Sequence, residues 1–267
     1  MKTICISIAA ATTFLFHCTY TFADDPKARE IMQKVEDRDD GDNMTSQMEM
    51  ILIDKHQKKR IRQMMAYEKD KGEDTLKIMF FKYPADVKNT GFLTYDYDEH
   101  GKDDDQWLYL PALRKTKRIA SSDKDGSFMG SDLNYSDMTS RDLEDYDFTI
   151  MKEDEVNEKK VWVIQSLPRS KDVIDEIGYK KEVLFVRQDN FYVIRAIMWT
   201  ESGGYLKYMD VKTLELIEGI WVGTEMHVTK KKGKQIVHKT IMKRANVKFN
   251  QDLDYDMFTT RRLEKGL

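Results

Sequence analysis

Between residues 45 and 246 apolar side chains come in short runs, many of them alternating with polar ones, and charged turns separate the runs. This period of two predicts strands over 45–54, 60–68, 75–83, 92–97, 106–110, 113–120, 148–152, 160–167, 179–187, 191–200, 205–213, 220–229 and 235–247. Asp70-Lys71-Gly72, Gln188-Asp189-Asn190, Ser202-Gly203-Gly204 and the run Lys230 to Lys234 supply hairpin chemistry between them. Consecutive hairpins imply one large antiparallel meander, and such a sheet must close on itself or have its inner face covered. Pro26 after Asp25 opens a short amphipathic helix in which Ala28, Ile31, Met32 and Val35 share a face, and Asp37 to Gly41 stops it. Residues 132–143 read as a loop with a helical turn lying over the sheet, and 254–265 as a short terminal helix carrying Met257, Phe258 and Leu263 behind an Asp cap. No internal repeat and no Pro-, Gly- or Ser-rich linker divides the chain, so 24–267 is expected to form one domain, mainly β with a minor helical part.

The first 23 residues have the form of an export signal: Lys2 at the start, an apolar core over 4–16 too short to span a bilayer, and Thr21-Phe22-Ala23 before the expected cleavage at Asp24. Leu15-Phe16-His17 places bulky residues where lipid attachment at Cys18 would require small ones. The expected product is therefore soluble and periplasmic. Cys5 and Cys18 both fall in the signal, which leaves no disulfide and no thiolate site after it. Charged residues make up 34% with a net charge of −3, so both signs are mixed and there is no basic footprint for nucleic acid.

Chemistry-bearing motifs are sparse. HExxH, GxSxG, P-loop and GxGxxG patterns do not occur, and no acid, base and nucleophile constellation suggests an enzyme. Asp96 to Gly101 begins like a calcium loop, but His100 replaces an oxygen ligand and Trp107 stands where the bidentate Glu belongs, so a solvated turn is expected. A five-residue turn over Lys230 to Lys234 would pair His227 with Val237 and His238 with Met226, with the imidazoles on opposite faces; a slip of one residue would bring them together. No cofactor and no resident metal are expected.

The segment from Asp105 to Met138 is the most distinctive. Trp107 and Tyr109 alternate with Leu108 and Leu110, as in a strand covered on both faces, and Pro111 ends the pairing. Arg114, Lys115, Lys117 and Arg118 follow, then Ser127-Phe128-Met129-Gly130-Ser131-Asp132. These W-x-Y-L-P-A-L-R-K, R-I and S-F-M-G-S-D parts resemble the outer membrane lipoprotein-sorting protein family, relatives of the periplasmic lipoprotein carrier that are often associated with RND-superfamily exporters. The resemblance implies an unclosed antiparallel half-barrel with short helices over its concave side. It also implies a carrier that holds lipid or lipoprotein acyl chains in an apolar concavity and passes them toward the outer membrane. The alternative is a non-enzymatic accessory module of an exporter, with a filled core and a basic rim that binds protein.

On that reading Met48, Met50, Trp107, Tyr109, Trp162 and Trp221 are the candidate lipid contacts, although a Met or Trp on a strand is more often plain core. The basic run has three readings: a solvated strand face, a rim meeting lipid phosphates or an acidic partner, or an arginine that holds the cover. Resemblance to the carrier, whose opening and closing depend on an arginine bonded to its lid, favours the second and third readings and implies that lid role for Arg114 or Arg118. Expected partners are acylated cargo, an RND-superfamily exporter and, transiently, a membrane surface.

Overall fold

The structure is a computed structural model that describes residues 24–267; the expected signal over 1–23, with Cys5 and Cys18, lies outside them. Hairpins join β1 (Asn43–Asp54), β2 (Lys59–Lys71), β3 (Asp74–Tyr83), β4 (Gly91–Asp96), β5 (Asp105–Leu110) and β6 (Lys115–Ile119). After a long connection come β7 (Tyr146–Val156), β8 (Lys159–Pro168), β9 (Tyr179–Arg187) and β10 (Val193–Thr200). The last three strands are β11 (Leu206–Ile217), β12 (Ile220–Lys232) and β13 (Gln235–Phe249). They form one antiparallel 13-stranded sheet in the order β6-β5-β4-β3-β2-β1-β13-β12-β11-β10-β9-β8-β7. Because β13 returns beside β1, the two free edges are β6 and β7, and the sheet stays unclosed as expected.

Three local expectations change. Helix α2 (Lys171–Ile177) has no counterpart among the elements that periodicity predicts, yet Ser170 caps its start by accepting from the Val173 amide and Gly178 ends it at φ 79°. Seven residues are too few to display a helical period, so only the caps signal it. The turn before β13 is tighter than a five-residue loop. Lys232 faces Gln235 across Gly233-Lys234, so His227 lies opposite Ile241 and His238 opposite Lys230. Asp96 is not solvated: it is 5% exposed, accepts from Lys77 Nζ at 2.6 Å, and binds the Ser140 backbone and hydroxyl.

Strand alternation gives the sheet two apolar faces. On the inner face, α1 (Pro26–Glu36) sets Ala28, Ile31 and Met32 against Tyr146, Phe148, Ile164 and Met198. Phe92 and Leu108 also point inward, while their neighbours Leu93 and Trp107 point outward. There α3 (Thr260–Lys265) lays Leu263 over Leu76, Ile78, Phe80 and Leu93, with Phe258, Trp107 and Tyr109 packed beside it. Gly91 makes this contact possible, since a Cβ there would stand 2.6 Å from Leu263 Cδ1.

Successive hairpins turn at alternate ends of a meander, which separates charge along the strands. The β1–β2, β3–β4, β5–β6 and β12–β13 turns share one end, as the pairing of Asp54 with His238 requires. They carry Lys55, Lys58, Lys59, Arg60, Lys82, Lys88, Arg114, Lys115 and Lys230 to Lys232. The same end holds Ile61, Tyr83, Leu113 and Ile236, exposed by 39%, 54%, 62% and 50%. The opposite turns carry Glu73, Asp98, Glu99, Asp103, Glu158 and Glu218.

Leu263 is fully buried, so Leu263→Ala should lower the unfolding free energy in urea by about 2–5 kcal/mol. Apolar dye binding on the inner face should be unchanged; a loss below about 1 kcal/mol would mean that α3 is not holding the outer core.

Candidate functional site

The chain leaves β6 at one edge of the sheet and re-enters at β7 on the other, so residues 120–145 must cross. They cross the inner face as a roof of short helical turns. Its first half is the Ser127 to Asp132 motif, folded as a hook. Phe128 N donates to Leu133 O at 2.7 Å, Ser127 Oγ donates to Ser131 O at 2.5 Å, and Gly130 takes φ 73° at the bend. The hook presses Phe128, 1% exposed, against Phe92 and Tyr135 with ring centroids 5.0 and 5.7 Å away.

Polar contacts fasten the roof to both halves of the sheet. Toward β13, Asp132 N donates to Thr240 Oγ1 at 2.9 Å, while the Asp132 carboxylate meets Thr240 Oγ1 and His238 Nδ1, each at 2.7 Å. Toward α2, Asn134 Nδ2 and Ser136 Oγ both donate to Ile177 O. The centre is a chain: Lys207 Nζ donates to Tyr179 OH and Asn134 Oδ1 at 2.8 Å, and Tyr179 OH donates to Asp137 Oδ2 at 2.7 Å. Arg141 closes it, donating to Ser136 O at 2.6 Å and Asp137 Oδ1 at 2.9 Å.

Burial shifts these groups. It presses the Lys207 amine down to about 8 against the pull of Asp137, and a neutral amine still has both N–H donors that the geometry uses. Burial, then Asp137, drives the Tyr179 phenol well above its usual range. For Arg141 burial opposes the charge, but Tyr146, Glu182 and Asp137 outweigh it and raise its pKa further.

Beneath the roof lies a cavity of about 450 Å³. Met48, Met79, Met138, Met198, Met209, Met226 and Met242 line it, together with Phe128, Leu133, Leu184 and Val228. Glu68, Lys77, Asp137, Tyr179, Glu182 and Arg244 bring polar atoms to its walls. A second cavity of about 320 Å³ between α1 and the β4–β5 turn is acidic, with Asp98, Glu99, Asp104, Asp142 and Glu176 around it.

The sequence candidates divide. Met48 is in the wall of the methionine cavity. Met50, 0% exposed, is sealed in a cluster with Leu52, Met64 and Phe81. Trp107 and Tyr109 are on the outer face beside α3. Trp162 stacks on Phe191 at 5.7 Å in the core under α1, and Trp221 lies beneath the Arg187 guanidinium with its carbonyl accepting from Arg38. Period-two alternation separates the faces of a strand without saying which is inner, so Trp107 and Tyr109 fall on the outer face, while Trp162 faces inward but is covered by Phe191 and the α1 core. Their place in the cavity is taken by methionines whose abundance was visible but whose convergence was not.

The arginines need the same correction. Arg114 is in the exposed β5–β6 turn, and Arg118 Nε donates to Asp105 Oδ1 at 2.8 Å on the edge strand. The roof is tied by Arg141 instead, and by Arg62, which donates to Met129 O. A basic run on β6 has its own physical reason, since charge blunts an unpaired edge.

Comparison with known proteins agrees with the geometry. A family model described as "-like: Uncharacterized protein" matches residues 72–265, and the chain belongs to that family, DUF1329. A domain from Vibrio parahaemolyticus described as an outer membrane lipoprotein-sorting protein superposes with a TM-score of 0.80 at 29% identity, covering 89% of this chain and 98% of its own. A DUF1329 family protein from Desulfovibrio piger gives a TM-score of 0.81 at 26% identity, covering 90% and 99%. A LolA superfamily protein from Nitrosomonas europaea, at 17% identity with a TM-score of 0.66 and coverage of 88% and 98%, bears on the fold alone. No curated protein matches the sequence at a significant level. Among the described residues no helix is long and apolar enough to cross a membrane.

The buried Lys207 gives a pH prediction. The unfolded chain takes up this proton near 10.5 and the folded chain only near 8, so between those values the folded state is the less protonated one and stability rises with pH. At about 1.4 kcal/mol per unit, wild type should gain up to ~3 kcal/mol relative to Lys207→Met between pH 8 and 10.5 in urea titrations. A flat difference would show that the folded amine keeps its proton as far up in pH as the unfolded one.

Proposed function

We propose that the protein is a periplasmic carrier that shields the apolar part of a lipid or acylated protein in the methionine cavity and hands it on toward the outer membrane, without covalent chemistry. The observation that carries the reading is the cavity itself: an apolar chamber on the inner face of an unclosed sheet, roofed by a segment that polar contacts hold. Its volume, about 450 Å³, falls within the range of small-molecule sites. The likeness to a protein described as lipoprotein-sorting supports the same cargo class.

Energetics favour methionine for this task. Each buried methylene is worth ~0.8 kcal/mol, but a bilayer offers the same, so a carrier must match the membrane without greatly exceeding it. Unbranched, polarizable side chains that repack around chains of varied shape give such moderate, tolerant binding. The basic, apolar-tipped end of the sheet supports transient contact with an anionic membrane, and the family resemblance supports an RND-superfamily exporter as donor or acceptor.

Native mass spectrometry of protein from periplasmic extract should show bound species of lipid mass, and Met198→Trp with Met226→Trp should reduce their occupancy at least tenfold while the melting transition stays cooperative. A protein that carries no lipid and displaces no apolar dye would instead be an interaction module.

Membrane contact is checked by sedimentation with anionic vesicles. Replacing Lys55, Lys58, Lys231 and Lys232 by Gln should weaken binding by about 1 kcal/mol for each residue that touches the surface, and salt should do the same. Arg118→Gln should change little, because Asp105 already holds that guanidinium. Binding indifferent to salt would remove the basic end from the interaction.

A further inference from the structure

Glu182 stands out among the charged groups that line the methionine cavity. β9 pairs it with Met198 of β10 and Ser166 of β8, and strand parity aims it inward beside Leu184. The residue is 8% exposed. Among the described residues, no side chain or backbone group donates a hydrogen bond to its carboxylate. The nearest cation is Arg141, whose Nε is 4.0 Å from Oε2 and whose two Nη groups already serve Ser136 O and Asp137.

The other charged groups of the wall have partners. Lys77 is bound to Asp96 at 2.6 Å, Asp137 to Tyr179 and Arg141, Asp132 to Thr240 and His238. Arg244 faces Glu68 at 3.6 Å and Lys243 faces Glu225 at 3.7 Å. A buried carboxylate without donors is costly unless something supplies them, and here the open side is the cavity.

We propose that Glu182 is the head-group anchor of the cavity, accepting hydrogen bonds from the donor head, an ammonium or amide N–H, of an amphiphile whose chain lies among Met198, Met209 and Met226. The inference rests on the carrier reading and specifies its ligand: a head that donates, in preference to a carboxylate or phosphate. An anionic head placed against Glu182 would meet its carboxylate directly, and the two cations nearby do not offset it: Arg141 already serves Ser136 O and Asp137, and Lys207 serves Asn134 and Tyr179. Burial raises the Glu182 pKa, with Arg141 opposing, which is what a carboxyl still awaiting a donor should show.

The test measures binding of dodecylamine, dodecanol and dodecanoate by displacement of an apolar fluorescent dye, with wild type, Glu182→Gln and Glu182→Leu. The isosteric Gln variant guards against a Leu variant that fails to fold. Wild type should bind dodecylamine at least tenfold more tightly than dodecanoate, and Glu182→Gln should lose most of that preference while its affinity for dodecanol stays within about threefold. Equal wild-type affinity for amine and acid, or an unchanged preference in Glu182→Gln, would overturn the anchor while leaving the carrier reading in place. If none of the three probes binds wild type, both readings fall together.

Discussion

The strand order imposes the constraint from which the site follows. Six strands are laid outward from β1 in one direction, and seven are then laid inward from the far edge until β13 pairs with β1. A chain wound this way must carry one segment from edge to edge, and the inner face of a twisted, curved sheet offers the short route. The crossing backbone cannot join the ladder, so its amides and carbonyls need other partners. That need explains the density of Asp, Ser, Asn and Tyr between residues 132 and 146 and the buried Lys207, Tyr179 and Thr240 that answer them.

A roof built of polar contacts over an apolar wall has a mechanical consequence. The contacts at Asp132, Asn134, Asp137 and Ser140 reach β13, α2, β9 and β4 respectively, so they hold the two halves of the sheet to one strap. Water can replace hydrogen bonds when such a strap lifts, whereas it cannot replace the packing of Phe128 among Phe92, Phe81 and Tyr135. The hook is therefore the stiff part of the roof.

Charge separation between the two ends follows from the same meander. Alternate turns project to opposite ends, so a chain that puts an excess of lysines in the β1–β2, β3–β4, β5–β6 and β12–β13 turns and an excess of acids in the opposite turns acquires a polar axis along its strands at no cost to the core. Tyr83, Leu113 and Ile236 are exposed at the basic end, so apolar tips and cations stand side by side there.

The sequence by itself determined the antiparallel meander, the number and approximate bounds of its strands, and helix α1, because period-two alternation, turn residues and an N-terminal Pro are local signals. It also marked Ser127 to Asp132 as unusual and showed an excess of methionine. Only the tertiary structure decided which face of each strand is the inner one, because alternation is symmetric between faces. Trp107 therefore moved to the outside beneath α3, and Met226 and Met242 came to the cavity. Nor could the local pattern show that Arg141, Lys207 and Glu182 would meet, since residues on the roof, β11 and β9 become neighbours only when the chain crosses from one free edge of the sheet to the other.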